Sequence, residues 1–142
     1  MSAVVVDASM TLSLVYQDGS SVQMEEILSA THDGVLTLLT PAHWHVEIAS
    51  SLQRAARRRR ISAEARASSF ALLMQLPIAI VPEIPLAADL FALADETSLS
   101  VYDALYLSLA LRERALVATA NTALASAAAT RGVLWKSRGR RR

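Results

Sequence analysis

Five short apolar runs punctuate the chain, at residues 3–6, 35–39, 78–81, 116–119 and 133–136, and helical stretches fill the spaces between them. The runs are rich in Val, Ile and Leu, as strands buried on both faces are. Pro41, Pro77, Pro82 and Pro85 fall at element edges, where a proline neither removes a ladder bond nor breaks a helix. The helical stretches are 8–17, 20–32, 42–58, 62–75, 86–97, 101–114 and 122–131. Ser62 is a natural N-cap for the fourth of them, with Glu64 in its first turn. Short strands alternating with helices imply an α/β fold with a five-stranded parallel sheet, covered on both faces and wound by right-handed crossovers.

Composition narrows this picture without redirecting it. With 142 residues, 53% hydrophobic and 19% charged, the chain has apolar material for one core and too little charge for disorder. No apolar run approaches the roughly 18 residues that span a membrane. The opening MSAVVVD has no basic stretch ahead of its valines, so no secretory signal is expected. Cysteine is absent, which excludes disulfides, thiolate zinc sites and a thiol nucleophile. That absence fits a reducing compartment, and a cytoplasmic location is expected. The net charge is +1 but unevenly spread. Arg57, Arg58, Arg59 and Arg60 run together, and a basic tail is expected at 138–142 after a single domain at 1–137. Such clusters hold phosphate backbones, or else are solvated helix ends and frayed tails.

The informative polar groups are few. Ligands of an open parallel sheet bind beyond the C-terminal ends of its strands. Asp7 directly follows the first run, and Asn121 lies just past the fourth. Asp103 opens an almost wholly apolar helix, where an ionised carboxylate needs a donor, a cation or a metal. Glu47 lies early in the helix after the second run. Each has an ordinary structural alternative. Ser100 and Asp103 match a capping box, Asp7 or Ser9 can cap the first helix, Glu47 can pair with Arg54, and Asn121 is a good N-cap.

The case for a site is joint. Three carboxylates brought together repel one another, and Mg²⁺ or Mn²⁺ would remove that repulsion. The chemistry implied is metal-assisted hydrolysis of a phosphodiester. Zinc has weaker support, because His43 and Glu47 share a helical face while His45 points elsewhere. A triad using Ser9 lacks a nucleophile-elbow sequence. Trp44, Trp135, Tyr102 and Tyr106 could stack on bases, but such side chains more often pack cores. No glycine-rich phosphate loop is present.

The ordered segments VVVDAS (4–9), TPAHWHVEIASSL (40–52), LSVYDALYLSLA (99–110) and LVATANTAL (116–124) resemble the PIN domain, and more narrowly the VapC-type toxins of toxin–antitoxin pairs. The resemblance implies a three-layer α/β/α sandwich and a Mg²⁺- or Mn²⁺-dependent endoribonuclease. It assigns Asp7, Glu47 and Asp103 as catalytic metal ligands, with Ser9 near the metal. A further Asp of the family is replaced by Asn121 in Thr119-Ala120-Asn121, a neutral and weaker ligand, which bears on a second metal. An Asn common three residues after the Glu is Ser50 here. Ser9, Thr119 and Arg57–Arg60 are candidate RNA contacts. An RNA substrate, a cognate antitoxin and a homodimer follow as expected partners. Two alternatives stand beside this: an RNA- or protein-binding module impaired by Asn121, and a PIN nuclease of RNA processing.

Overall fold

The computed structural model describes residues 2–138. Its elements follow the alternation closely: β1 (Ser2–Val6), α1 (Ala8–Tyr16), α2 (Ser21–His32), β2 (Leu36–Pro41), α3 (Trp44–Arg57), α4 (Ala63–Met74), β3 (Ile78–Val81), α5 (Ala87–Thr97), α6 (Val101–Glu113), β4 (Leu116–Ala118) and α7 (Thr122–Thr130). The strands are all parallel, in the order β3-β2-β1-β4. The chain therefore winds outward from β1 in one direction, then returns to place β4 on its other side. The point where that order reverses lies between β1 and β4.

Alternation along β1 builds two cores. Val4 and Val6 meet Met10, Met24 and Ile27 on one face of the sheet. Val5 faces the other way, into a core that includes Ile48, Leu52, Tyr106, Leu107 and Leu124. Helices thus cover both faces, as an all-parallel sheet requires. α6 is less enclosed than its composition suggests. Tyr106, Leu107 and Ala110 are buried, while Val101 and Tyr102 at its start and Leu111 near its end are exposed.

One expectation is corrected. The sheet has four strands among the described residues, not five. The run at 133–136 does lie beside β4, but it makes a single parallel bridge, Val117 to Leu134. Val117 N–H donates to Val133 O at 2.7 Å and Trp135 N–H to Val117 O at 2.8 Å. β4 is only three residues long, so it offers a neighbour too little edge for a ladder. The expected tail begins with Arg138, and the rest of it lies outside the described residues. No helix among the described residues is long and apolar enough to cross a membrane.

Candidate active site

Local sequence aims several polar side chains at the reversal point. Asp7 is the last residue before α1, and its Oδ1 accepts from Met10 N–H at 2.9 Å as the N-cap. The same oxygen accepts from Ser9 Oγ at 2.7 Å, and Oδ2 accepts from Thr119 Oγ1 at the end of β4. Ser9 and Thr119, expected as substrate contacts, are placed as donors that clamp Asp7. Ala120 N–H donates to Ser9 Oγ and Asn121 N–H to Thr119 Oγ1, each at 2.9 Å. The loop after β4 is thereby fixed to the start of α1. Thr40 ties in β2, donating to Val6 O at 2.9 Å.

Asp7 is 3% exposed. Burial pushes its carboxyl up to about 6, against the opposing pull of Thr119, Met10 and Ser9, and the nearby Asp103 adds to the rise. Asp103 is half-buried at the start of α6. Ser100 Oγ accepts from Asp103 N–H at 3.1 Å, so one half of the capping box forms. The other half does not. The Asp103 carboxylate turns instead to Asn121, whose Nδ2–H donates to Oδ2 at 3.3 Å. Burial and then the charge of Glu47 push Asp103 up.

Glu47 does not take Arg54 as partner. Arg54 donates to Ser50 Oγ at 3.0 Å. Glu47 Oε1 accepts from the Tyr106 hydroxyl at 2.7 Å and lies 3.1 Å from His43 Nε2. Burial raises Glu47, but the bonds from His43 and Tyr106 outweigh it, and the net shift is downward. Burial, then the bond to Glu47, pushes the Tyr106 hydroxyl far above its ordinary range, so Tyr106 is a fixed donor. His43 Nε2 also faces Tyr102 O at 3.0 Å. Both neighbours only accept, so Nε2 carries the proton. His43 Nδ1 is buried without a hydrogen-bond partner among the described residues. His45 turns away to Ala42 O at 2.8 Å. Of the aromatics, Trp44 and Tyr106 are core residues, and Tyr102 is exposed.

Asn121 caps α7, its Oδ1 accepting from Ala123 and Leu124 N–H at 2.9 and 3.1 Å. Its carbonyl is committed to that helix, and its amide nitrogen is what faces Asp103. Arg57, Arg58, Arg59 and Arg60 are exposed at the opposite end of α3 from Glu47. The Tyr106 and His43 contacts are the features that sequence reasoning missed. The signal for Tyr106 was its place three residues after Asp103, on the same face of α6.

The donor set suits a hard cation. Asp7 has one oxygen lone pair on Oδ2 outside its three hydrogen bonds, and Asp103 Oδ1 and Glu47 Oε2 accept none among the described residues. The charge of Asp103 raises Asp7 and that of Glu47 raises Asp103, a like-charge strain that a cation would relieve. In this conformation, no three His, Cys, Asp or Glu side chains among the described residues are already closed into a metal-holding group. Glu47 is instead drawn to Tyr106 and His43.

This is an α/β protein with a cluster of acidic side chains at the switch point of a parallel sheet, where such folds bind ligands. The PIN domain family model matches residues 4–129, and the chain belongs to that family. No curated protein matches it significantly. Among solved structures, PAE2754 from Pyrobaculum aerophilum is similar with a TM-score of 0.69 at 21% identity, over 89% of this chain and 84% of that one. VapBC2 from Rickettsia felis, bound to a DNA fragment from its promoter, gives 0.60 at 13% identity, over 84% and 89%. The sarcin-ricin-loop-cleaving toxin VapC20 of Mycobacterium tuberculosis gives 0.59 at 15%, over 87% and 94%. At these identities the likeness is one of fold.

Proposed function

We propose that this PIN domain is a divalent-cation-dependent endoribonuclease and the toxin of a toxin–antitoxin pair. The observation that carries the reading is Asp7, a buried carboxylate pushed up to about 6, lying within electrostatic reach of Asp103 at the sheet's switch point. Asp7, Glu47 and Asp103 would hold Mg²⁺ or Mn²⁺. The ion, when bound, supplies Lewis acidity toward a phosphoryl oxygen and toward water. The protein's part is positioning. Ser9, Met10 and Thr119 fix the Asp7 rotamer, and Tyr106 and His43 hold Glu47 ionised. Asn121 holds the Asp103 carboxylate through its amide, while its own carbonyl oxygen stays on the cap of α7.

An antitoxin partner and an RNA substrate are supported by the toxin neighbours of the fold. A homodimer is supported by Ile84, Leu86 and Phe91, which follow edge strand β3 and are 69%, 75% and 59% exposed. The test is cleavage of RNA with Mg²⁺, with EDTA, and by Asp103→Asn. Cleavage that stops in both of the last two supports the reading. Cleavage unchanged in both refutes it, and binding without cutting by the wild type would identify a non-cleaving module instead.

A further inference from the structure

The two helices that start at the carboxylates end together at a second, basic site. α1 runs from Ala8, beside its cap Asp7, to Tyr16, and α3 runs from Trp44 past Glu47 to Arg57. They are joined side by side. Trp44 Nε1–H donates to Thr11 Oγ1 at 3.0 Å, and the Tyr16 and Ser51 hydroxyls lie 2.9 Å apart. Beyond Ser51 a cleft of about 510 Å³ opens, lined by Tyr16, Arg54, Arg58 and Arg60 together with Val15 and Ile61. Glu47, Ser51, Arg54 and Arg58 are spaced four, three and four residues apart, so they form one stripe along α3. At 1.5 Å per residue, Glu47 and Arg58 are about 16 Å apart.

Three features make this cleft more than a solvated helix end. Arg54, Arg58 and Arg60 have no carboxylate partner among the described residues, whose ion pairs are His43–Glu47, Arg112–Glu113 and Arg131–Glu96. Tyr16, 40% exposed, lines the same cleft as these arginines. The arginine run is also divided. Arg59 takes a left-handed φ of 56°, and of the four residues only Arg58 and Arg60 line the cleft.

We propose that this cleft is a subsite for the backbone of single-stranded RNA, a few nucleotides from the phosphate at the acidic cluster. Arg54, Arg58 and Arg60 take phosphates, and the Tyr16 ring takes a base. Guanidinium forks match phosphate oxygens, and an aromatic face beside them is how single strands are held without sequence preference. The shared stripe on α3 favours RNA over an acidic protein segment, because one strand can then reach both sites. The inference rests on the nuclease reading for its substrate.

The experiment compares two charge-matched pairs, Arg58→Ala/Arg60→Ala and Arg57→Ala/Arg59→Ala, in the Asp103→Asn protein, which reads binding apart from cutting. A short fluorescein-labelled single-stranded RNA is titrated across a salt series. The cleft pair should weaken binding roughly tenfold and flatten the log–log salt slope by about 1.4, whereas the outer pair should change neither much. Tyr16→Ala should weaken binding and Tyr16→Phe should retain it. Equal losses in the two pairs, or none in either, would overturn the proposal. So would unchanged RNA binding with poly-glutamate captured by the parent and lost by the cleft pair. If the wild type never cuts RNA yet the cleft pair alone loses binding, the nuclease reading falls and the subsite stands. If the wild type cuts and the pairs behave alike, the subsite falls and the nuclease reading stands.

Discussion

Replacing Asp7 by Asn should make the cation-free protein more stable while abolishing its chemistry. The Asp7 carboxyl is pushed from 3.8 up to about 6 in the folded protein, chiefly by burial. Between those values the folded state holds a proton that the unfolded chain has released, so stability falls as pH rises through the window. Above about pH 6 the full penalty applies, and two pK units correspond to about 3 kcal/mol. Asn carries no charge at any pH and escapes that penalty. Its Oδ1 can still accept from Met10 N–H and Ser9. Its Nδ2 meets Thr119, whose hydroxyl can turn toward Ser9 Oγ, 3.3 Å away. Imperfect replacement of these bonds costs about 1 kcal/mol, leaving a gain of roughly 2 kcal/mol. The assay is urea denaturation in EDTA at about pH 8 and about pH 4, where the gain should be present and absent respectively. Added Mg²⁺ should restabilise the wild type, by about 2.7 kcal/mol at a hundredfold excess over Kd, and Asp7→Asn by no more than about 1.4 kcal/mol at the same concentration. A variant less stable than wild type at the higher pH, or a gain independent of pH, would refute the reasoning.

Tyr106→Phe removes the 2.7 Å donor that helps hold Glu47 ionised. The pKa of Glu47 should rise, so the acid limb of the pH–rate profile of RNA cleavage should move to higher pH, and an unmoved limb would contradict the assigned role. Asn121→Asp keeps a capping side chain but replaces the donor facing Asp103 with a like charge. Denaturation in EDTA should show lower stability and calorimetry should show tighter Mg²⁺ binding, and a neutral result in both would separate residue 121 from the site. Trp44→Phe breaks the bond to Thr11, which is 0% exposed, and should cost about 1–2 kcal/mol in thermal unfolding while kcat is retained. Phe91→Glu should shift the molecular mass by light scattering from dimer to monomer, and an unchanged mass would place the interface elsewhere.

The sequence made the framework readable because strand ends and helix starts are local events. Asp7 after three valines, Ser100 three residues before Asp103, and Asn121 ahead of an alanine-rich helix each announce a boundary through nearest neighbours. What could not be read was which distant group each side chain would choose. Asp7 is clamped by Thr119, 112 residues away, and Glu47 by Tyr106, 59 away. Both choices depend on how strands and helices stack, not on spacing. The capping box misled in the same way. Its backbone half is local and forms, but the Asp103 carboxylate found a better-placed donor in Asn121, at the start of the neighbouring helix α7. The 133–136 run has strand composition, yet the length of its neighbour, and not its own residues, limits it to one bridge. The arginine run looked uniform because a turn at Arg59 is invisible in a string of identical letters.

The central claim is that Asp7, Glu47 and Asp103 act together on one divalent cation, and a calorimetric Mn²⁺ titration tests it most directly. The wild type is compared with Asp7→Asn, Glu47→Gln and Asp103→Asn, each first shown to be folded. The account predicts a saturable site in the wild type that weakens by at least roughly tenfold in every one of the three variants. Mn²⁺ binding of equal affinity in all four proteins, or none in the wild type, would contradict it.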